Sequence, residues 1–185
     1  VRSRIDRFGP DVMHSHHPFL MGDTALRISY ALHRPLVFTH HTLYEQYTHY
    51  VPFDSPALRR FVVRLATEYA NACDAVIAPS QSVASLLRER GVRTPIQVIP
   101  TCIDSAAFAH GDGQRFRAER GIGSDELVIG HVGRLAREKN LAWLAEAVAE
   151  ALARVPRGRF VVVGDGPEGS AIERALAARG GEGRL

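Results

Sequence analysis

Short apolar runs alternate along this chain with longer stretches whose apolar residues recur at helical spacing. The runs at 11–16, 35–40, 75–78 and 96–100 read as strands, and the stretches at 21–33, 58–73 and 83–90 as helices. The run Pro35-Leu-Val-Phe-Thr-His40 shows little alternation, as a strand covered on both faces should. In the 58–73 helix, Phe61, Val62, Leu65, Ala66 and Tyr69 form the expected apolar stripe, and Pro56 suits the first turn. Ser80 or Ser82 caps the next helix and Gly91 stops it. Between 101 and 126 the rhythm breaks. Gly, Asp, Ala and Ser dominate there around one short Arg/Glu-rich helix, 114–120, as in a connection between domains. Alternation resumes with strand 127–132, helix 141–154, strand 159–163 and helix 168–178. Such alternation implies parallel sheets covered by helices, an α/β chain of two Rossmann-like blocks at residues 1–109 and 110–185.

The 185 residues are 45% hydrophobic and 23% charged, enough apolar content for buried cores. A formal net charge of +3 suits an acidic partner such as a phosphate ligand or an anionic membrane surface. The basic residues are too scattered to argue for nucleic acid. No apolar run approaches the roughly 20 residues of a spanning helix. Cys73 and Cys102 have no CxxC spacing and read as reduced thiols of a cytoplasmic protein. Both ends look cut from something larger: residues 1–8 read as a helix end feeding a strand, and 180–185 as a loop entering one.

Lys139 is the only lysine, since every other basic residue among the 23 Lys and Arg is arginine. It lies in Gly130-His-Val-Gly-Arg-Leu-Ala-Arg-Glu-Lys-Asn140, which reads as a strand end, a glycine turn and a helix start. Gly133 permits the turn, and the helix start offers free N–H groups and a positive dipole end. Arg134 and Lys139 flank that space, so the motif reads as a diphosphate clamp, with Arg137 and Glu138 facing solvent. Gly164-Asp-Gly-Pro167 is a second glycine turn between strand and helix, weak by itself. Neither a dinucleotide fingerprint nor a P-loop is read from the chain.

Seven of the 9 histidines fall between His14 and His49. His14, His16, His40 and His41 stand at the carboxyl ends of predicted parallel strands, where open α/β sheets form ligand clefts. They read as cleft-lining hydrogen-bonding groups; zinc is the minor alternative, for want of a nearby Cys or carboxylate. The segment Thr42-Leu-Tyr-Glu-Gln-Tyr-Thr-His-Tyr-Val-Pro52 reads as an aromatic-rich loop. Two readings stand open for it: contact with a sugar, lipid or membrane interface, or packing on its own domain.

These motifs, with Asp74-Ala-Val-Ile-Ala-Pro-Ser80 and Val98-Ile-Pro-Thr-Cys-Ile-Asp104 between them, resemble in kind and order those of retaining glycosyltransferases of family 4. The resemblance covers nearly the whole chain, and the stretch around Thr42–Tyr50 looks most like the diacylglycerol glucosyltransferase branch. It implies the GT-B fold, two Rossmann-like domains facing a cleft, both incomplete here. It implies no cofactor beyond the substrate, a nucleotide-diphosphate sugar such as UDP-glucose, and a lipid or other hydroxyl acceptor, with peripheral contact to an anionic membrane. Gly133, Arg134 and Lys139 match the donor diphosphate site, which acts without a metal; Gly164 and Asp165 would lie near the nucleotide. His41 matches the histidine of the sugar site, and His16, His40 and Tyr44 would line the acceptor side. The family's opening glycine-rich loop is absent, its spaced glutamate pair should lie beyond residue 185, and Cys102 stands where glycine is usual. The spacing recurs at Glu138 and Glu146, in the wrong place. The chain alone is expected to be inactive. The competing readings are a non-catalytic phosphate- or nucleotide-binding module and a family relative with a sugar-phosphate or phosphatidylinositol acceptor.

Overall fold

A computed structural model describes residues 2–178, and these divide into two compact units on either side of Ile103 and Asp104. The sequence places the boundary after residue 109. The difference arises because Asp104 caps a short helix, α5 (Ser105–Phe108), by accepting from the amides of Ala106 and Ala107, and this helix groups with the second unit.

The first unit holds α1 (Arg2–Phe8), β1 (Met13–Ser15), α2 (Met21–Leu32), β2 (Leu36–Thr39), α3 (Pro56–Asn71), β3 (Ala75–Ala78), α4 (Gln81–Glu89) and β4 (Ile96–Val98). The four strands form one parallel sheet in the order β1-β2-β3-β4, with Ser15 beside Phe38, Phe38 beside Val76, and Val76 beside Ile96. Successive parallel strands need crossover connections, and α2, α3 and α4 supply them. Leu36, Phe38, Val76 and Ala78 meet Ala66, Tyr69, Ala70, Cys73, Ala84 and Leu87 in the core. Phe38 is fully enclosed, so its truncation to alanine costs about 3–5 kcal/mol.

Two helices follow the local chemistry closely. Ser55 caps α3 by accepting from Leu58 N at 3.2 Å, with Pro56 in the first turn, and Ser80 caps α4 by accepting from Val83 N at 3.3 Å. The predicted stripe of α3 is displaced. Phe61 and Leu65 are exposed, while Ala66, Tyr69, Ala70 and the following Cys73 are buried. At 100° per residue, the arc centred on Ala66, Tyr69 and Cys73 leaves Phe61 and Leu65 on its far flank. The segment read as a loop after β2 is a 3₁₀ helix, Tyr44–Tyr50.

The second unit holds α5, α6 (Gly113–Glu119), β5 (Leu127–Val132), a 3₁₀ turn (Arg137–Lys139), α7 (Leu141–Arg154), β6 (Gly158–Val163) and α8 (Gly169–Ala177). Strands β5 and β6 are parallel neighbours, Leu127 beside Gly158 through Val132 beside Val163. Leu141, Ala145, Val148 and Leu152 of α7 pack with Phe160, Ile172 and Leu176 around them. The loop expected at 180–185 lies outside the described residues. Among the described residues no helix is long and apolar enough to cross a membrane.

Candidate functional site

In the first unit β1 and β2 end side by side and carry their histidines into contact. His16, just past β1, and His41, two residues past β2, share a hydrogen bond of 2.8 Å between Nδ1 and Nε2. His14 lies 4.2 Å from His16 between ring centroids, and its Nε2 meets Thr39 Oγ1 at 2.7 Å. The base beneath them is fixed: Tyr69 donates to Ser15 Oγ at 2.7 Å and lies 3.1 Å from the Gly22 carbonyl. Burial, and then the nearby charges of His16 and His41, hold His14 below the usual histidine range. His16 and His41 are exposed to solvent and available to a ligand.

His40 and Tyr44, expected at the cleft surface, lie inside instead. His40 is 2% exposed, wedged edge-on against Phe38 and Tyr44. The cause is the 3₁₀ helix, which folds Tyr44 back over His17, Phe19 and His40. Burial lowers the basicity of His40 and pushes the Tyr44 phenol up to about 12. The tyrosine segment divides between the domain interior and the surface. Tyr44 packs on the domain, whereas Tyr50, Val51 and Phe53 are exposed.

In the second unit the turns after β5 and β6 are sewn to each other by backbone. Gly133 N donates to the Val163 carbonyl at 3.0 Å, Leu135 N to the Asp165 carbonyl at 2.9 Å, and Glu168 N to the Leu135 carbonyl at 2.9 Å. A Cβ at Gly164 would run into the Gly133 carbonyl, and one at Gly166 into the Leu135 carbonyl. Glycine is therefore required by the neighbouring turn. The sequence reading stops this motif at Pro167, but Gly164, Gly166 and Gly169 do carry Gly-x-Gly-x-x-Gly spacing after a strand and into a helix. Here the first two glycines admit the β5 turn, which accounts for them without a dinucleotide.

On this platform Arg134 and Lys139 are both exposed. Glu138, expected to face solvent, has a side chain only 6% exposed and accepts from Arg134 Nη2 at 2.7 Å. The extended backbone of Ala136 followed by the 3₁₀ turn brings it back under the arginine. A guanidinium held through one nitrogen keeps its remaining N–H groups for an anion. Asn140 enters α7 in the left-handed conformation, φ 51°, and its side chain caps none of the first-turn amides. Asp165 is exposed, and its Oδ1 accepts from Gly166 N at 2.7 Å. Among the described residues no group of three His, Cys, Asp or Glu side chains is placed to hold a metal ion.

Comparison with known proteins agrees with both halves. The sequence model for Glycosyltransferase Family 4 matches residues 1–107, and that for Glycosyl transferases group 1 matches 126–184. The chain is 28% identical to the alpha-monoglucosyldiacylglycerol synthase of Acholeplasma laidlawii, over 91% of this chain and 45% of that protein. Its likeness to the synthase of the same name from Streptococcus pneumoniae is 31%, over 85% and 37%. A D-inositol 3-phosphate glycosyltransferase of Acidothermus cellulolyticus is 34% identical, over 91% and 40%. The chain thus spans less than half the length of these curated relatives. Among solved structures, Anabaena HepE in complex with UDP and glucose superposes with a TM-score of 0.71 at 22% identity, over 99% of this chain and 49% of that one.

Proposed function

The chain belongs to glycosyltransferase family 4, and on that premise we propose that the whole protein transfers a hexose from a nucleotide-diphosphate sugar to a lipid hydroxyl with retention of configuration. The observation that carries the reading is the pair of sewn glycine turns, which fixes a backbone platform at the ends of two parallel strands with Arg134 and Lys139 upon it. When the bond between the anomeric carbon and the diphosphate breaks, negative charge grows on the leaving oxygen. Arg134, steadied by Glu138, and Lys139 offset that charge, and the uncapped start of α7 adds its dipole. Gly164 and Asp165 border the nucleotide. His41 attends the sugar and His16 the acceptor side, while His40 and Tyr44 support them from within the core.

UDP-glucose is the proposed donor and diacylglycerol the proposed acceptor, in line with the names of the two synthases. A lipid acceptor brings the protein to a membrane surface, where the exposed Tyr50, Val51 and Phe53 supply apolar contact. The likeness to the D-inositol 3-phosphate enzyme favours a second reading, in which the acceptor is a soluble sugar phosphate. The test is to supply the full-length protein with UDP-glucose and either diacylglycerol vesicles or inositol phosphate. An α-glucosyl lipid is the expected product. An α-glucosyl inositol phosphate alone would select the second reading, and a β-linked product or none would overturn both.

A further inference from the structure

The geometry points to His16 as the residue that positions His41, coupling the tautomer of that imidazole to its own through a shared ring proton. This deepens the proposed transfer function and rests on it. Their nitrogens lie 2.8 Å apart, ring centroids 5.1 Å apart and ring planes 18° from parallel, a side-by-side arrangement that lets an N–H be shared between the two rings. Two nitrogens at this distance cannot both carry a proton, and two bare lone pairs would repel, so one proton lies between them.

The consequence reaches the other side of the ring. If His16 donates, neutral His41 accepts at Nε2 and must carry its proton on Nδ1, so that it offers a donor there. If neutral His41 donates, its Nδ1 is bare and offers an acceptor. In both cases the far nitrogen of His41 has one role, set by His16. His16 is itself aligned. Its ring lies against His14, which Thr39 ties to β2, and Ser15 between them is held by Tyr69 from α3. The chain Thr39, His14, His16, His41 thus runs from one strand end across to the next. His16 is separated from His41 by 25 residues, so the sheet register rather than local sequence makes the pair.

The test uses two substitutions in the full-length protein. His16→Phe keeps a flat ring against His14 and removes the nitrogen, and His16→Gln restores a group able to donate or accept. The ¹⁵N shifts of the His41 ring, read at about pH 8.5, above the ordinary imidazole range, should report a tautomer balance in His16→Phe that differs from that of the unsubstituted protein, with His16→Gln moved back toward the latter. With UDP-glucose and diacylglycerol vesicles, kcat should fall about 10- to 100-fold in His16→Phe, with the KM for UDP-glucose changed less, and His16→Gln should recover most of it. An unchanged His41 tautomer in His16→Phe overturns the inference, as does an equal kcat loss in both variants. Failure of the proposed function looks different: the unsubstituted protein would transfer no sugar, while the tautomer measurement would still report on the pair.

Discussion

The turns after β1 and β2 and those after β5 and β6 occupy equivalent places, the carboxyl ends of paired parallel strands, yet they are built from different materials. The first is made of side chains: imidazoles in contact, a tyrosine hydroxyl tying Ser15 to Gly22, and a buried histidine beneath. The second is made of backbone: amide-to-carbonyl bonds between two turns, with glycine where any Cβ would collide. The difference teaches what each can tolerate. A side-chain site titrates but can absorb many substitutions, whereas a backbone platform does not titrate but forbids a single methyl group.

The sharpest way to break the comparison is at the glycines. Gly164→Val, which drives a branched side chain into the Gly133 carbonyl, should cost about 3 kcal/mol or more, as overpacking against fixed backbone does. Amide hydrogen exchange should then quicken in β5 and β6 and leave β1 to β4 unaltered. Exchange that stays slow in β5 and β6 would mean that the turns are not sewn as described.

The next effect is on pH and belongs to the first unit. Burial pushes the Cys73 thiol up from 9.0 to about 12 and the Tyr44 phenol from 10.0 to about 12. The folded chain therefore keeps protons that the unfolded chain gives up, and this stability is whole below pH 9.0 and is lost as pH rises toward about 12. His40 has the opposite sign. Its lowered basicity means that the unfolded chain binds the proton first, so stability present above pH 6.5 is lost as the solution is acidified. Denaturant midpoints measured by exchange should move for β1 to β4 at alkaline pH and on acidification from pH 6.5 to 4.5, above the range in which Glu126 beside β5 takes up its proton. Parallel movement of β5 and β6 would erase the contrast.

A smaller effect is expected of Tyr69→Phe, which removes the one hydroxyl that ties Ser15 Oγ and the Gly22 carbonyl together, at a cost of about 1–2 kcal/mol. Urea unfolding checks it, and no change would show that the hydroxyl holds nothing in place. Smallest is Asp54, whose carboxyl the Arg59 guanidinium and the Thr48 hydroxyl hold down to about 2. Its contribution is present above pH 3.8 and lost as pH falls toward about 2, and Asp54→Asn should flatten that acid limb.

Much of this contrast was legible in the order of residues. The alternation of strands and helices, Pro56 in the first turn of α3, the cap at Ser80, the glycine at 133 and the histidines at strand ends all follow from local chemistry. What escaped is non-local. Nothing near Gly166 announces that Leu135 will lie against it, although the spacing of Gly164, Gly166 and Gly169 could have been read. The burial of His40 and Tyr44 depends on a 3₁₀ helix that helical periodicity does not reveal. Glu138 looked like one more charge in a polar loop, and only the bend after Ala136 turns it toward Arg134.

The central claim is that the sewn turns present Arg134 and Lys139 to a diphosphate. Calorimetric titration of UDP into the full-length protein and its Lys139→Ala variant tests this directly, because UDP carries the diphosphate without sugar or acceptor. Loss of one charge-assisted contact should weaken binding by about 10- to 100-fold, with the amide exchange of β5 and β6 unchanged. UDP bound equally well by both proteins would contradict the account.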